Sequence, residues 1–146
     1  MPTIATPESR AALLARVGKL TPESRPNWGT LSAPRLLCHL ADQLRVALGE
    51  IPAQQRGNWR THTLLKWIVI YMPVQAPPGK VQTVPEMLTT SPRSWIADLA
   101  SLETLLERLA VAERTAPHPV FGRLSHSEWC RLAWKHFNHH LGQFGV

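Results

Sequence analysis

Apolar residues recur at intervals of three and four along most of this chain, a spacing that gathers them on one face of an α-helix. The clearest such stripes lie in residues 36–48, 95–109 and 129–144. Strict alternation of apolar and polar residues, the pattern of a half-buried strand, does not occur. The pattern therefore predicts an all-α fold in which four or five amphipathic helices pack as a helical bundle.

Capping residues and prolines predict where the helices begin and end. Thr6, Pro7 and Glu8 indicate the start of a first helix that stops near Gly18. Further helices are expected over about residues 32–48, 59–72, 91–112 and 125–141, the last beginning with the capping-box sequence Ser125-x-x-Glu128. Segment 59–72 is the most uniformly apolar, so we expect this additional helical segment to be buried. Prolines in residues 73–91 predict a long crossover, with one helical turn at residues 86–88.

Composition indicates a single globular domain spanning residues 1–146, because 44% of the residues are apolar and 18% are charged. Cys38 and Cys130 make no disulfide framework, and we expect a soluble, reduced, cytoplasmic protein. The longest apolar run, residues 64–72, is shorter than the roughly 20 residues that a bilayer requires. The net charge of +6 comes from scattered basic residues. Acidic small-molecule substrates suit that charge, whereas nucleic acid, which needs several phosphate contacts on one face, is the least favoured partner.

Two histidines stand one turn apart in the stripe of the last predicted helix. His136 and His140 would both face the core, where two imidazoles can bind one metal ion from the same side. The alternative is a pair of hydrogen-bonded core histidines, but an unpaired polar group there costs about 1–3 kcal/mol. A third donor must come from another helix. His39 is the best candidate, and the adjacent Cys38, which points about 100° away, ranks second.

Other polar residues near these histidines are expected to have supporting roles. His139 lies on the flank of the last helix, where it would orient a ligand or face solvent. Gln143, and Asp42 or Gln43, lie within one turn of the candidate ligands and could orient a metal-bound group; Asp42 is also a weaker candidate for a base. Surface or packing positions are expected for His62, His118 and His126.

Several motifs resemble those of the DinB/YfiT-like metalloenzymes, and in particular a DinB-like subfamily of unknown function. The resemblance runs from about residue 6 to the C-terminus. It is carried by Leu37-Cys38-His39-Leu40-Ala41-Asp42, Trp28-Gly29-x-Leu31-Ser32, Pro85-Glu86-Met87-Leu88, His118-Pro119-x-Phe121-Gly122-x-Leu124-Ser125 and His136-x-x-His139-His140-Leu141-x-Gln143-Phe144-Gly145. It implies a four-helix bundle in which His39, His136 and His140 bind zinc or nickel. It also implies a homodimer and, by analogy with thiol-dependent S-transferases, a low-molecular-weight thiol as substrate.

The leading functional hypothesis is a divalent-metal-dependent enzyme acting on a small molecule. Three neutral imidazoles leave the ion with a net positive charge and open coordination positions. Activated water would make the protein a hydrolase, and a bound thiol would make it a transferase. The alternative is a non-catalytic bundle with a structural metal or a bound small ligand. A closed structural site would need a fourth donor, for which Cys38 and His139 are the candidates.

Overall fold

Five α-helices and two short helical turns make up the regular structure in a computed structural model that describes residues 1–73 and 83–146. The α-helices are Pro7–Val17 (α1), Ala33–Ala47 (α2), Lys66–Tyr71 (α3), Trp95–Ala110 (α4) and His126–Gln143 (α5). A π-helical turn, Thr61–Leu65, runs directly into α3, and a 3-10 turn, Pro85–Leu88, precedes α4. In the described ranges the sole β-type pairing is an isolated bridge between His118 and Gly122. The predicted all-α bundle is confirmed.

The starts of α2, α4 and α5 follow from serine side chains that accept hydrogen bonds from free amides in the first turn of each helix. At α5 the Ser125 hydroxyl accepts from the Glu128 amide at 3.2 Å, and the Glu128 carboxylate accepts from the Ser125 amide at 2.7 Å. The predicted capping box is therefore confirmed. Ser32 caps α2 in the same way through the amide of Arg35. The predicted start of α4 at residue 91 is wrong, because Ser94 is the residue that accepts an amide hydrogen bond and caps the helix.

Helix α2 is the centre of the bundle. It packs against α4, against the 3-10 turn and against α5, while α1 and α3 each lie on α5. Most of its residues are buried, and its leucines meet the fully buried Trp129 and Phe137 of α5 in one continuous core. Because α2 and α5 pack against each other, side chains on their facing surfaces can meet in the interior of the protein.

The prediction of a buried third helix is wrong. Trp59, Leu64 and Trp67 expose 72%, 65% and 55% of their surface, and Ile70 is the buried residue of α3. A segment that is apolar on all sides can place only one stripe against a single neighbouring helix, and here that neighbour is α5.

The predicted crossover, residues 73–91, lies partly outside the described residues, since residues 74–82 are not among them. Its described end contains the predicted helical turn at Pro85–Leu88. Within the described parts of the chain, no helix has the length and apolar character needed to cross a membrane. The cytoplasmic location stays a prediction.

Candidate metal centre

Three histidine rings from two helices converge at the interface between α2 and α5. The Nε2 atom of His39 lies 2.9 Å from that of His136 and 3.1 Å from that of His140, and the latter two are 3.1 Å apart. Imidazole nitrogens that bind one ion at about 2.0–2.1 Å lie roughly 2.9 Å apart at a right angle and roughly 3.3 Å apart at a tetrahedral angle. The spacing therefore fits a single ion. Among the described residues, these three histidines are the one set of histidine, cysteine or acidic side chains whose ligand atoms lie close enough together to hold a metal ion.

The opposite nitrogen of each ring is hydrogen-bonded to an oxygen. Nδ1 of His39 donates to the Met87 carbonyl at 2.9 Å, that of His136 to the Gln43 amide oxygen at 2.8 Å, and that of His140 to the Gln143 amide oxygen at 2.8 Å. Because these oxygens can only accept, each Nδ1 carries the ring proton of the neutral imidazole. Each Nε2 is then left with a bare lone pair, and all three lone pairs face a common centre.

The three imidazoles are neutral at pH 7. Burial lowers the pKa of His136 well below its ordinary value, and the neighbouring His39 and His140 rings lower it further. Burial lowers the pKa of His140 to about 4, although its bond to Gln143 opposes the shift. Burial also lowers the pKa of His39 against opposing effects of the Met87 carbonyl and Asp42. Neutral imidazole is the form that coordinates a metal.

A loop ahead of α2 holds Gln143 in the orientation that His140 requires. The Gln143 Nε2 atom donates to the Trp28 carbonyl at 2.8 Å, so its Oε1 atom is the one left to accept from His140. Gly29 has a φ of +80°, and a Cβ atom there would lie 2.8 Å from the same Nε2 atom. The Trp28-Gly29 pair therefore supports the histidine cluster through Gln143, which explains one motif that the sequence left unassigned.

Asp42 supports the cluster indirectly and does not face it. Its buried carboxylate accepts from the Thr90 amide at 2.9 Å and from the Thr89 and Thr90 hydroxyls, and it pairs with Arg45 at 3.0 Å. These contacts tie the segment after the 3-10 turn to α2, and that turn supplies the Met87 carbonyl that orients His39. The carboxylate is engaged with the segment that it anchors, so the geometry gives it no role as a base at the cluster.

The remaining candidates from the sequence lie outside the cluster. Burial, followed by the charges of Asp98 and Asp42, raises the pKa of the Cys38 thiol, so that it stays protonated at neutral pH. His139 is partly buried, and its ring centroid lies 5.2 Å from that of Trp28 and 5.1 Å from that of His140. Among the described residues, neither joins the three converging histidines.

Three further histidines pack within the fold. The Nδ1 atom of His118 accepts from the amides of Val120 and Phe121, which shapes the turn before α5. His126 donates to the Leu109 carbonyl at 2.9 Å and so satisfies an acceptor at the end of α4. The buried Nε2 atom of His62 has no hydrogen-bond partner in the described part of the chain.

The Met87 carbonyl that accepts from His39 could not be predicted from the sequence, because every residue type has a backbone carbonyl.

One side of the histidine cluster faces a cavity of about 570 Å³. His39, His140 and Gln143 form part of its wall. The loop ahead of α2 and the first turn of α2 also line it, and apolar surface comes from Trp28, Leu31 and Leu88. A small molecule in this cavity would therefore contact two of the three converging rings.

Comparison with known proteins connects nearly the whole chain to one family. The family model described as "Protein of unknown function (DUF1569)" matches residues 7–145. Neither a curated protein nor a solved structure matches the chain. The resemblance to DinB/YfiT-like metalloenzymes is thus wrong, because the matching family is a distinct one. Many unrelated folds can supply the three donors that a metal ion needs, so one histidine on an early helix and two on the last do not identify a family. The homodimer and the thiol substrate lose the support of that resemblance.

Proposed function

This chain belongs to the DUF1569 family, whose description leaves its function unknown, and we propose that it binds one divalent metal ion through His39, His136 and His140. One observation carries the proposal: three Nε2 lone pairs face one another at 2.9–3.1 Å while every Nδ1 proton is already donated elsewhere. Without a cation, three like dipoles repel one another in a partly buried site. A metal ion converts that repulsion into three coordinate bonds.

The open side of the cluster favours a catalytic role over a structural one. Structural zinc sites are usually closed by four protein donors, whereas catalytic sites keep a position for water or substrate. In the described residues no fourth histidine, cysteine or carboxylate joins the three, and a 570 Å³ cavity borders them. We therefore propose a metal-dependent enzyme, either a hydrolase or a thiol-dependent transferase, that acts on a small molecule in this cavity.

The donor set suits a borderline transition metal, and we propose zinc or nickel. When bound, such an ion supplies a Lewis acid that makes a nucleophile available near neutral pH, from water or from a thiol. The protein's own residues hold the rings in place. Gln43, Gln143 and the Met87 carbonyl each fix one tautomer and one ring orientation, and hydrogen bonds of this kind also raise the basicity of the ligands.

Metal analysis of protein purified without an affinity tag tests the proposal. We expect about one zinc or nickel ion per chain, lost in the His136→Gln and His140→Gln variants. His139→Gln is the matched control, because it alters the adjacent histidine of the same helix outside the cluster. Retention of metal in both cluster variants, or wild-type protein that takes up no zinc, nickel or cobalt, would refute the site.

A cobalt-substituted sample separates the open site from a closed one. We expect azide to change the cobalt absorption spectrum, because an open position accepts an external ligand. Loss of metal in the His139→Gln control, together with a spectrum that azide leaves unchanged, would instead support the non-catalytic alternative, with His139 as a fourth donor.

A further inference from the structure

Arg35 lies in the wall of the cavity beside the histidine cluster. It precedes His39 by four residues, so the two side chains occupy the same face of α2. Both residues line the 570 Å³ cavity, and both also line an adjoining space of about 250 Å³. Within residues 1–73 and 83–146 the Arg35 guanidinium takes part in no salt bridge, and it is the backbone amide of Arg35 that donates a hydrogen bond, to the Ser32 hydroxyl. The guanidinium is therefore available to a ligand.

The permanent charge in the described walls of the two spaces is positive. Neither an aspartate nor a glutamate is among the residues that form the described walls of the two spaces, and Arg35 is their one permanently charged side chain. The N-terminus of α2 opens at the same wall through Ser32, and the positive end of the helix dipole adds to the field. A divalent ion at the histidines would add two further charges. Such a cavity attracts anions and repels cations.

We propose that the cavity binds a small organic carboxylate, whose carboxylate group pairs with Arg35 while a second donor group reaches the histidine cluster. This inference rests on the proposed metal site. A guanidinium matches the planar carboxylate through paired hydrogen bonds. Among the described lining residues, a single arginine with no lysine beside it suits a monoanion better than a phosphate dianion.

The residues that line the cavity also indicate the length and the apolar character of this ligand. Residues four apart on a helix are separated by about 6 Å along its axis, so the two polar groups of the ligand should be a few bonds apart. Trp28, Leu31 and Leu88 contribute apolar surface to the same cavity. The substrate class that results is a short-chain carboxylate with a metal-binding group at its other end.

Binding of two matched thiols to the cobalt-loaded protein tests the pairing. The probes are 3-mercaptopropionate and its uncharged amide, 3-mercaptopropanamide, titrated without oxygen and followed by the thiolate-to-cobalt absorption. We expect the carboxylate to bind at least about tenfold more tightly than the amide, as a charge-assisted hydrogen bond to a partly solvated arginine would give. Arg35→Gln should abolish the preference. Arg114→Gln, the same change at an exposed arginine outside the cavity, should keep it.

The outcomes separate this inference from the function on which it rests. Failure to load cobalt would refute the metal site and the inference together. Loaded cobalt with equal affinity for both thiols, or a preference that survives Arg35→Gln, would refute the inference alone. Competition by acetate and by inorganic phosphate distinguishes the two kinds of anion. Stronger displacement by phosphate would overturn the assignment to a carboxylate.

Discussion

Replacing Gly29 by alanine should weaken metal binding without touching a metal ligand. The new Cβ atom would lie 2.8 Å from the Gln143 Nε2 atom, closer than such contacts allow, and Gly29 has a φ of +80°. An alanine in that left-handed conformation costs roughly 1–2 kcal/mol of stability. Moving the Gln143 amide also removes the acceptor for His140, and loss of such a supporting contact typically lowers metal affinity about 10- to 100-fold.

The chain offers a matched control for this substitution. Gly142 is a helical residue of α5 beside Gln143, and a Cβ atom there would meet no atom within 4 Å. Gly142→Ala should therefore stabilise the protein by about 0.5–1 kcal/mol, since glycine is unfavourable in a helix, and leave metal affinity unchanged.

Two measurements separate the loss of stability from the loss of affinity. Urea unfolding of the metal-free variants gives the free energy of unfolding, and zinc titration against a competing chelator gives the dissociation constant. If Gly29 acts through Gln143, Gln143→Ala should lower zinc affinity by a similar factor, and the double variant should lose little more. Wild-type zinc affinity in Gly29→Ala, or fully additive losses in the double variant, would refute the reasoning.

Three further predictions follow from contacts away from the converging rings. Asp42→Asn leaves Arg45 without its buried partner, so we expect about 3 kcal/mol of destabilisation in urea and a several-fold loss of zinc affinity; an unchanged affinity would show that the Met87 carbonyl does not depend on this anchor. Burial lowers the pKa of His118 from 6.5 to about 4, so the unfolded chain binds the extra proton between these values. The contribution of His118 to the free energy of unfolding is therefore complete above pH 6.5 and falls by up to about 3 kcal/mol as the pH drops towards 4. Urea unfolding of metal-free protein at both ends of that window should show a smaller loss of stability in His118→Asn than in the wild type. Equal losses would contradict this. Leu64→Ala should change stability by less than about 0.5 kcal/mol, because Leu64 is 65% exposed, whereas Ile70→Ala, at a fully buried site, should cost about 2–5 kcal/mol; equal losses in urea would contradict the exposed placement of Leu64 in segment 59–72.

The amino-acid sequence alone determined the features that depend only on residues near one another in the chain. The periodic stripes predicted the helices, Ser125 and Glu128 predicted the start of α5, and the interval between His136 and His140 placed both rings on one helix face. These features depend on backbone geometry within a few residues, which is the same in any fold. His39 could be named as the partner because it is the one histidine in the predicted second helix, but its convergence with the other two required packing.

The features that depend on which helices pack against one another were determined by the tertiary structure. The contact of α2 with α5 brings the Nε2 atom of His39 to 2.9 Å from that of His136, and no sequence interval encodes a distance across 97 residues. The Met87 carbonyl is invisible to residue type, and the carboxylate of Asp42 turned towards Thr90 rather than towards the histidines. Segment 59–72 is largely exposed. Its apolar composition shows how much surface could be buried, but the number of helices packed against the segment determines how much surface is buried.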